Sequence, residues 1–181
     1  QEDTLFVHLY IENKVETELK SGKMALDVKT DYPWDGAVHI KVEKAPAASV
    51  KLAVRIPGWC ESYTLTVNGG AVSAEVKNGY AFIEKVFAAG DEILLNLDMP
   101  VTLVEANPRV REDIGKVAVM RGPVVYCLEE ADNGKDLHRI SVSRNAAFEA
   151  VFDGDFFGGA VTLKSDGYKL SQQEWEPDTL Y

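Results

Sequence analysis

The histidines and cysteines of this 181-residue chain are the side chains best suited to metal binding, and they are few. They are His8, His39, His138, Cys60 and Cys127. No two of them stand at the spacing of a zinc motif such as Cys-x-x-Cys or His-x-x-x-His. The sequence therefore predicts no structural zinc and no other cofactor in this chain.

Two clusters of Asp, Asn and Gly could offer oxygen ligands to calcium. They are Asp132-Asn133-Gly134-Lys135-Asp136 and Asp153-Gly154-Asp155. Neither cluster follows the residue order of an EF-hand loop, and these residue types are first of all turn formers. We interpret both clusters as turns.

Carboxylates are abundant, with 29 acidic residues against 19 basic ones. Hydrolysis of a glycosidic bond requires two carboxyl groups about 5–10 Å apart across the sugar, one of them held neutral by its surroundings. Nothing marks Glu129-Glu130 or Glu174-Trp175-Glu176 as such a pair, and both are typical of a solvated surface. We expect no catalytic residue in this chain taken by itself.

Aromatic residues in loops and turns are the best candidates for a binding surface. They are Tyr32, Trp34, Trp59 and Trp175. Such rings can stack on the apolar faces of sugars, and a net charge of −10 does not oppose a neutral plant glycan. The same rings bury large areas when they close the end of a core or contact a neighbouring domain. The sequence leaves both interpretations open.

Charge and hydropathy exclude other partners. The net charge of −10 repels nucleic acid. No apolar run approaches the roughly 20 residues that cross a bilayer, so we expect no membrane segment. The first residues are not a basic signal-peptide start, and the absence of an initial Met suggests part of a longer protein. The compartment stays open, and a periplasmic or extracellular parent protein would fit.

The two cysteines are too few for a disulfide framework. Cys127 alternates with Tyr126 and Leu128 in a strand-like run, which predicts a buried free thiol. Cys60 follows Trp59 in a predicted turn. The sequence leaves open a single disulfide between the two.

Short β-rich runs separated by turn residues follow one another along the chain. Several alternate apolar and polar residues, the period of a strand with one buried face. The predicted strands cover residues 4–11, 24–30, 37–42, 49–56, 64–67, 80–83, 91–97, 101–104, 117–120, 124–128, 137–142, 146–152 and 160–164. Asn68-Gly69 and Asn78-Gly79 are strong hairpin signals. The pattern predicts an all-β chain with little helix.

A break in this pattern at Asn107-Pro108 suggests two modules, because Pro cannot continue a strand ladder. We predict two consecutive antiparallel β-sandwich domains of jelly-roll type, the first over residues 1–106 and the second over residues 107–181. The second is the smaller of the two.

A corner is predicted where two apolar runs meet at Arg121-Gly122-Pro123, just before Tyr126. Gly122 can adopt backbone angles closed to other residues, and Pro123 offers no N–H to a ladder. The corner should therefore lie at a sheet edge or bend. We expect Arg121, and Arg55 in the turn that contains Pro57, to fix a corner or an interface rather than to bind substrate.

These segments resemble the C-terminal region of glycoside hydrolase family 127, the β-L-arabinofuranosidase type once catalogued as a domain of unknown function. Gly115 to Glu129 is similar to the family's Gly-x-Val-Ala-x-x-Arg-Gly-Pro-x-Val-Tyr run. Arg55 to Cys60 is similar to its Arg-x-Pro-x-Trp turn, and Leu5 to Tyr10 to the segment that leaves its catalytic barrel.

The resemblance implies a polypeptide in which an (α/α)6 catalytic barrel precedes two β-sandwich domains. This chain matches only the sandwiches. Because the family's chains usually continue past the equivalent of Tyr181, the resemblance also implies that the second sandwich is incomplete or ends early. The family's cysteine nucleophile, glutamate acid/base and zinc ion would lie in the barrel, so none transfers to a residue here. The implied function is that of a non-catalytic accessory region bracing the barrel of the same polypeptide. The alternative is an independent carbohydrate-binding module.

Overall fold

The computed structural model describes residues 3–171, and strands dominate them. The chain divides into two compact units. The first comprises the residues up to Pro100 together with Arg121–Val124, and the second comprises Val101–Met120 and the residues from Val125 onward. The predicted all-β class, with sandwich-like antiparallel domains and little helix, is confirmed. The boundary between residues 106 and 107 stays a prediction.

Strands of two to nine residues make up the first unit. They are β1 Thr4–Val7, β2 Asn13–Leu19, β3 Gly22–Thr30, β4 Ala37–Lys44, β5 Ser49–Arg55, β6 Tyr63–Val67, β7 Gly70–Ala71, β8 Val76–Lys77, β9 Tyr80–Val86 and β10 Glu92–Leu97. They form a four-stranded sheet in the order β1-β5-β9-β8 and a six-stranded sheet in the order β2-β3-β4-β10-β6-β7. β1 pairs with β5 in parallel, which departs from a purely antiparallel sandwich.

The core of the first unit lies between these two sheets. Every second residue of the central strands faces it, as the period of a half-buried strand requires. The buried members are Met24, Leu26, Val28, Val38, Ile40, Val42, Val50, Leu52, Val54, Leu65, Ala81, Ile83, Ile93, Leu95 and Leu97, with Tyr10 and Phe87 at its margin. Burying one such aliphatic side chain contributes about 1.5–3 kcal/mol, so this core is the main source of the unit's stability.

Both Asn-Gly pairs form hairpin turns as predicted. Asn68 and Asn78 each have φ of 52°, and Gly69 and Gly79 each have φ of 78°. Two consecutive residues with positive φ match the twist of the strands on either side. The turns join β6 to β7 and β8 to β9.

The start of the chain differs from its prediction. A single strand was expected over residues 4–11, but β1 ends at Val7, and Asn13, which lies outside every predicted strand, begins β2. β2 is an edge strand whose side chains are mostly exposed. Its backbone pairs with β3 from Asn13 opposite Val28 to Leu19 opposite Gly22. Main-chain pairing, and not an apolar face, therefore holds this strand.

The second unit consists of three small sheets. Its strands are β11 Val101–Glu105, β12 Val117–Arg121, β13 Val124–Tyr126, β14 Ile140–Ser141, β15 Glu149–Asp153, β16 Ala160–Lys164 and β17 Tyr168–Lys169. The sheet orders are β11-β12-β13, β14-β17 and β15-β16. Among residues 101–171, helix is limited to α1 Glu130–Asn133 and to 3-10 turns at Arg111–Asp113 and Leu137–Arg139. The strand predicted over residues 137–142 is thus mostly a turn.

Burial is scarce in the second unit. Among its described residues only Ala160 and Val161 are buried apolar side chains. Large apolar side chains are exposed along it, including Val125, Phe152, Phe157 and Leu170. No helix within residues 3–171 has the length and apolar character needed to span a membrane.

Candidate functional site

A group of aromatic residues closes one end of the first unit's core, and we call Tyr10, Tyr32 and Trp59 the end cluster. The rings of Tyr10 and Tyr32 meet edge to face, with centroids 5.8 Å apart. Tyr32 and Trp59 are half-buried and pack against the core. The Tyr10 hydroxyl donates a hydrogen bond to the Arg55 carbonyl. The sequence-predicted rings Tyr32 and Trp59 therefore lie together and against the core.

Burial also sets the protonation of this region. Desolvation raises the pKa of Tyr10 far above its ordinary value, and it raises the pKa of Tyr32 although a hydrogen bond from Trp59 opposes it. Burial likewise raises the pKa of the Cys60 thiol. Raised values keep these hydroxyl and thiol groups protonated at neutral pH, so none is an activated nucleophile.

Trp34 lies in the loop between β3 and β4, which its own hydrogen bonds hold in place. Its backbone N–H donates to the Asp31 carbonyl at 2.9 Å, and the Ala37 N–H donates to Asp35 Oδ1 at 2.7 Å. Gly36 approaches Leu97 so closely that a Cβ would lie 1.9 Å from the Leu97 carbonyl oxygen. The loop therefore presents Trp34, half-buried, from a fixed backbone.

The corner at Arg121-Gly122-Pro123 contacts this loop. Arg121 Nη1 donates a hydrogen bond of 2.9 Å to the Trp34 carbonyl oxygen. Gly122 has φ of 56° and is buried, and a Cβ there would lie 3.0 Å from Met99 Sδ. Gly122 and Pro123 are the two residues between β12 and β13, where β13 is the edge strand of its sheet. Arg121 therefore contacts the backbone of this loop, and its role in fixing a corner stays a prediction.

The remaining predicted residues are placed separately. Arg55 ends β5 with its side chain exposed, and Pro57 is buried in the turn that follows. Tyr126 ends β13 and is half-buried. Trp175 lies outside the described residues.

An aromatic group that the sequence analysis missed lies on the four-stranded sheet, on the face away from the core. We call Phe6, His8, Tyr80 and Phe82 the outer aromatic cluster. The Phe6 and His8 rings stack with centroids 5.6 Å apart and an interplanar angle of 9°. Phe6 meets Tyr80 and Phe82 edge to face at 5.3 and 6.2 Å. His8 Nδ1 and the Tyr80 hydroxyl are hydrogen-bonded at 2.7 Å.

Strand register builds this cluster. Phe6 on β1 and Phe82 on β9 both lie opposite Ala53 on β5, so three neighbouring strands place ring, methyl and ring in one row. Ala53 is fully buried although its face of the sheet lies away from the core. Phe6 itself is 42% exposed. The sequence signal that could have revealed this cluster is the recurrence of ring side chains two residues apart, at Phe6 and His8 and again at Tyr80 and Phe82.

The metal-ligand candidates stay apart in the described part of the chain. Residues 3–171 contain no group of three or more His, Cys, Asp or Glu side chains that could hold a metal ion. Both cysteines are free thiols. Cys127 is exposed, so the prediction of a buried thiol there is wrong. It follows the last residue of β13, where the strand and its alternation have ended.

The two Asx-Gly clusters differ in structure. The Asp155 N–H donates to Asp153 Oδ1 at 3.0 Å, which is an Asx turn, so the turn predicted at Asp153-Gly154-Asp155 is confirmed. In the other cluster Asp132 and Asn133 end α1, and the chain turns only after them, where Gly134 has φ of 73° and Asp136 has φ of 63°.

Asp91 is the centre of the strongest polar network of the first unit. Its carboxylate accepts hydrogen bonds from Asn68 Nδ2 at 2.8 Å, from the Ala88 N–H at 3.0 Å and from Lys85 Nζ at 2.9 Å. These donors lower the pKa of Asp91 to about 2, with the Asn68 bond as the largest cause. Because Asn68 begins a hairpin turn, the network ties that turn to the start of β10.

Comparison with known families gives two adjacent matches. The family model described as "Beta-L-arabinofuranosidase, GH127 middle domain" matches residues 4–99. The one described as "Glycoside hydrolase family 127 C-terminal domain" matches residues 101–166. Together they cover most of the chain.

Individual relatives agree with these matches. The chain is 43% identical over 169 residues to a non-reducing end β-L-arabinofuranosidase of Bifidobacterium longum subsp. longum, covering 88% of this chain and 25% of that protein. A solved GH127 β-L-arabinofuranosidase from Geobacillus stearothermophilus T6 is 40% identical with a TM-score of 0.91, covering 100% of this chain and 29% of the other. A solved GH127 β-arabinofuranosidase is 31% identical with a TM-score of 0.89, covering 96% and 30%.

These matches cover a much larger share of this chain than of its relatives. Nearly the whole of this chain is matched, but it spans only about a quarter to a third of the length of its relatives. The larger part of each relative therefore has no counterpart among these 181 residues.

Proposed function

This chain belongs to glycoside hydrolase family 127, as its middle and C-terminal domains, and from that premise we propose that it braces the catalytic domain of the same polypeptide. It is the non-catalytic part of a β-L-arabinofuranosidase-like protein. The proposed task is mechanical: to cover an apolar face of the catalytic domain, an (α/α)6 barrel, and to hold it in its active form.

The outer aromatic cluster carries the proposal. A sheet that covers a core with one face normally presents polar side chains on the other. Here the other face presents Phe6, Tyr80 and Phe82, with Phe6 42% exposed. Exposed apolar groups of this kind, held in a fixed arrangement, are typical of interaction surfaces. Aromatic side chains also dominate the energetics of protein interfaces.

The arrangement of the cluster favours a protein surface over a sugar. A flat platform for a sugar needs a ring face open to solvent. Phe6, however, stacks on His8 and meets two other rings edge to face, and His8 and Tyr80 are hydrogen-bonded to each other. The result is a rigid, uneven apolar surface. Such a surface complements packed side chains of another domain.

The proposed partner is intramolecular. The chain spans about a quarter of its curated relative, and that relative is named as an enzyme. β1, which carries Phe6, is the first strand of the region matched by the middle-domain model. A partner joined to the same polypeptide has a high effective concentration, so a modest apolar face suffices to hold it.

We assign the end cluster and Trp34 a structural role within the first unit. Tyr32 and Trp59 pack against the core, and the Trp34 carbonyl oxygen accepts the Arg121 hydrogen bond. Packing against the core leaves less ring area for a sugar. As part of the proposal we assign the zinc that the family resemblance implies to the catalytic domain.

Hydroxyl-radical labelling tests the proposal without any amino-acid substitution. We expect Phe6, His8 and Tyr80 to be labelled in the 181-residue chain and protected in the complete native polypeptide. Val15, which is 40% exposed on β2 of the other sheet, serves as the reference. Equal labelling of the cluster in both proteins would contradict the docking of another domain there.

A pair of substitutions tests the consequence for function. In the complete polypeptide, Phe6→Ser should lower both arabinofuranosidase activity and the thermal stability of the catalytic domain, whereas Val15→Ser should change neither. In the 181-residue chain Phe6→Ser should itself cost more stability than Val15→Ser, because Phe6 contacts three other rings. The losses in the complete polypeptide are therefore judged against those of the same variants in the 181-residue chain. An active and stable Phe6→Ser polypeptide would overturn the bracing role.

A further inference from the structure

The loop between β15 and β16 presents aromatic rings to solvent in a way that nothing in the bracing role requires. We call Asp153 to Gly159 the aromatic tip. Phe157 is 91% exposed and Phe156 is 42% exposed. Their rings meet edge to face, with centroids 4.7 Å apart and an interplanar angle of 75°. The tip therefore offers almost a complete phenyl face to the solvent.

The backbone of the tip holds this ring outward at an energetic cost. Phe157 has φ of 50°, which is uncommon and unfavourable for a bulky residue. Gly158 and Gly159 continue the turn with φ of 81° and 120°. Because a Gly at position 157 would avoid this cost, the presence of Phe indicates a use for its ring.

A third ring, that of Phe152, packs against the aromatic tip. Phe152, on β15, lies against Gly159, where a Cβ would be 2.9 Å from Phe152 Cζ. The Gly159 N–H donates a hydrogen bond of 2.9 Å to the Phe156 carbonyl oxygen. The loop is thus a closed turn packed on an aromatic ring.

The aromatic tip also contains two carboxylates. Asp153 and Asp155 are both exposed, and one oxygen of Asp153 accepts the Asp155 N–H at 3.0 Å. A carboxylate has about four acceptor sites, so one such bond leaves room for further donors. Acceptors in the same loop as an open ring face suit a ligand that has an apolar C–H face and hydroxyl donors at its rim.

From this combination we propose that the aromatic tip binds a neutral sugar residue of a glycan chain, which stacks on Phe157 and donates hydroxyl hydrogen bonds to Asp153 and Asp155. The carboxylates disfavour nucleic acid and anionic lipid by charge repulsion. They would also be costly to bury unpaired in a protein interface. This site does not overlap the outer aromatic cluster. The proposal of sugar binding can therefore be correct or wrong whatever the outcome for the bracing role.

Affinity electrophoresis of the 181-residue chain in native gels with soluble arabinan or arabinogalactan tests the proposal. We expect the wild-type chain to be retarded by at least one of these glycans. Phe157→Ala should weaken the retardation by about tenfold or more, corresponding to about 1.4 kcal/mol, and Asp155→Asn should weaken it less. Phe157→Tyr, which keeps a ring face, should restore it.

Tyr168→Ala is the matched control, because Tyr168 is 71% exposed in the same unit but lies on β17, outside the tip. It should leave the retardation unchanged. Phe157→Ala removes an exposed ring, so the far-UV circular dichroism of the variant should match that of the wild type.

Three results would overturn the proposal. The first is a wild-type chain that neither glycan retards. The second is retardation that persists in Phe157→Ala but disappears in Trp34→Ala, which would place binding at the loop aromatics instead. The third is protection of Phe157 from hydroxyl-radical labelling in the complete native polypeptide without glycan, because the ring would then be a contact with another domain.

Discussion

The two units of this chain use the same kind of secondary structure in different ways. In the first, two sheets enclose a continuous core, and side chains such as Leu52, Val54 and Leu95 are fully buried. In the second, only Ala160 and Val161 are buried apolar residues among those described, and exposed large apolar side chains are frequent. Strand content alone therefore does not predict how much a β domain can stabilise itself.

The difference has a physical reason. Ordering each residue costs about 1–2 kcal/mol of backbone entropy, and mainly apolar burial offsets that cost. The first unit has the buried side chains to do so. The second has short ladders and tight turns, and its exposed apolar surface is available to other parts of a longer polypeptide. The middle domain of this family should then fold more autonomously than the C-terminal domain.

The largest expected effect comes from the same substitution made in both units. Val54→Ala, on β5 at 0% exposure, should destabilise the first unit by about 2–3 kcal/mol, because it removes buried methyl groups and leaves a cavity. Val161→Ala, on β16 at 8% exposure, should cost less than about 1 kcal/mol, because its surroundings can collapse around the smaller side chain.

Native-state hydrogen exchange of amides in β5 and in β16 measures the two effects separately in the 181-residue chain. It also reports the free energy of opening of each unit, which should be higher in the first. Equal losses in the two variants, or slower exchange in β16 than in β5 of the wild type, would break the comparison between the units.

A smaller effect is expected from a glycine of the corner. Gly122→Ala should cost about 2 kcal/mol, because a positive φ disfavours any side chain and the new Cβ would press on Met99 Sδ at 3.0 Å. Gly69→Ala is the control: its φ is 78°, but nothing lies within 4 Å of the added Cβ. It should cost only about 1 kcal/mol. Urea unfolding followed by tryptophan fluorescence measures both.

An equal loss of unfolding free energy in Gly122→Ala and Gly69→Ala would mean that the positive φ accounts for the whole loss. The contact of the new Cβ with Met99 would then contribute nothing. A larger cost at Gly122 would show that the corner shares the tight packing of the first unit, with which its contacts group it. That outcome would sharpen the contrast with the turns of the second unit.

Much of the first unit could be predicted from sequence because its strands follow one simple rule. In β3, β4 and β10 apolar residues recur at every second position and those positions enter the core, as Met24, Ile40 and Leu95 do, whereas Leu94 on the other face does not. The hairpins at Asn68-Gly69 and Asn78-Gly79 were equally predictable, since few other residue pairs adopt two positive φ values. Periodicity and turn chemistry suffice wherever burial on one face decides the structure.

The sequence predictions failed where burial of one strand face does not determine the structure. β2 was missed because its side chains are exposed and backbone pairing with β3 holds it. The outer aromatic cluster was missed because Phe6 and Phe82 lie on the face opposite the core, where the pattern predicts polar residues. Cys127 was wrongly buried because the alternation was extended beyond the end of β13.

The smallest effect concerns charge and again compares the two units. In the first, Asp91 accepts three hydrogen bonds and its side chain is 11% exposed. In the second, Glu105 and Arg144 form an ion pair at 2.9 Å with side chains 52% and 84% exposed. Asp91→Asn should cost about 1–2 kcal/mol at pH 7, and Glu105→Gln should cost less than about 0.5 kcal/mol.

The pH dependence of this difference identifies its cause. The pKa of Asp91 is lowered from 3.8 to about 2 in the folded chain, so the folded state binds the proton less readily than the unfolded state does. The stabilisation by this carboxylate is therefore complete above about pH 4–5 and is lost as the pH falls through the folded value of about 2. Urea unfolding at pH 7, 4 and 2.5 should show the free-energy difference between wild type and Asp91→Asn shrinking as the pH falls. The difference between wild type and Glu105→Gln should stay near zero throughout. A constant gap for Asp91→Asn would mean that the variant disturbs the Asn68 turn by its shape and not by its missing charge.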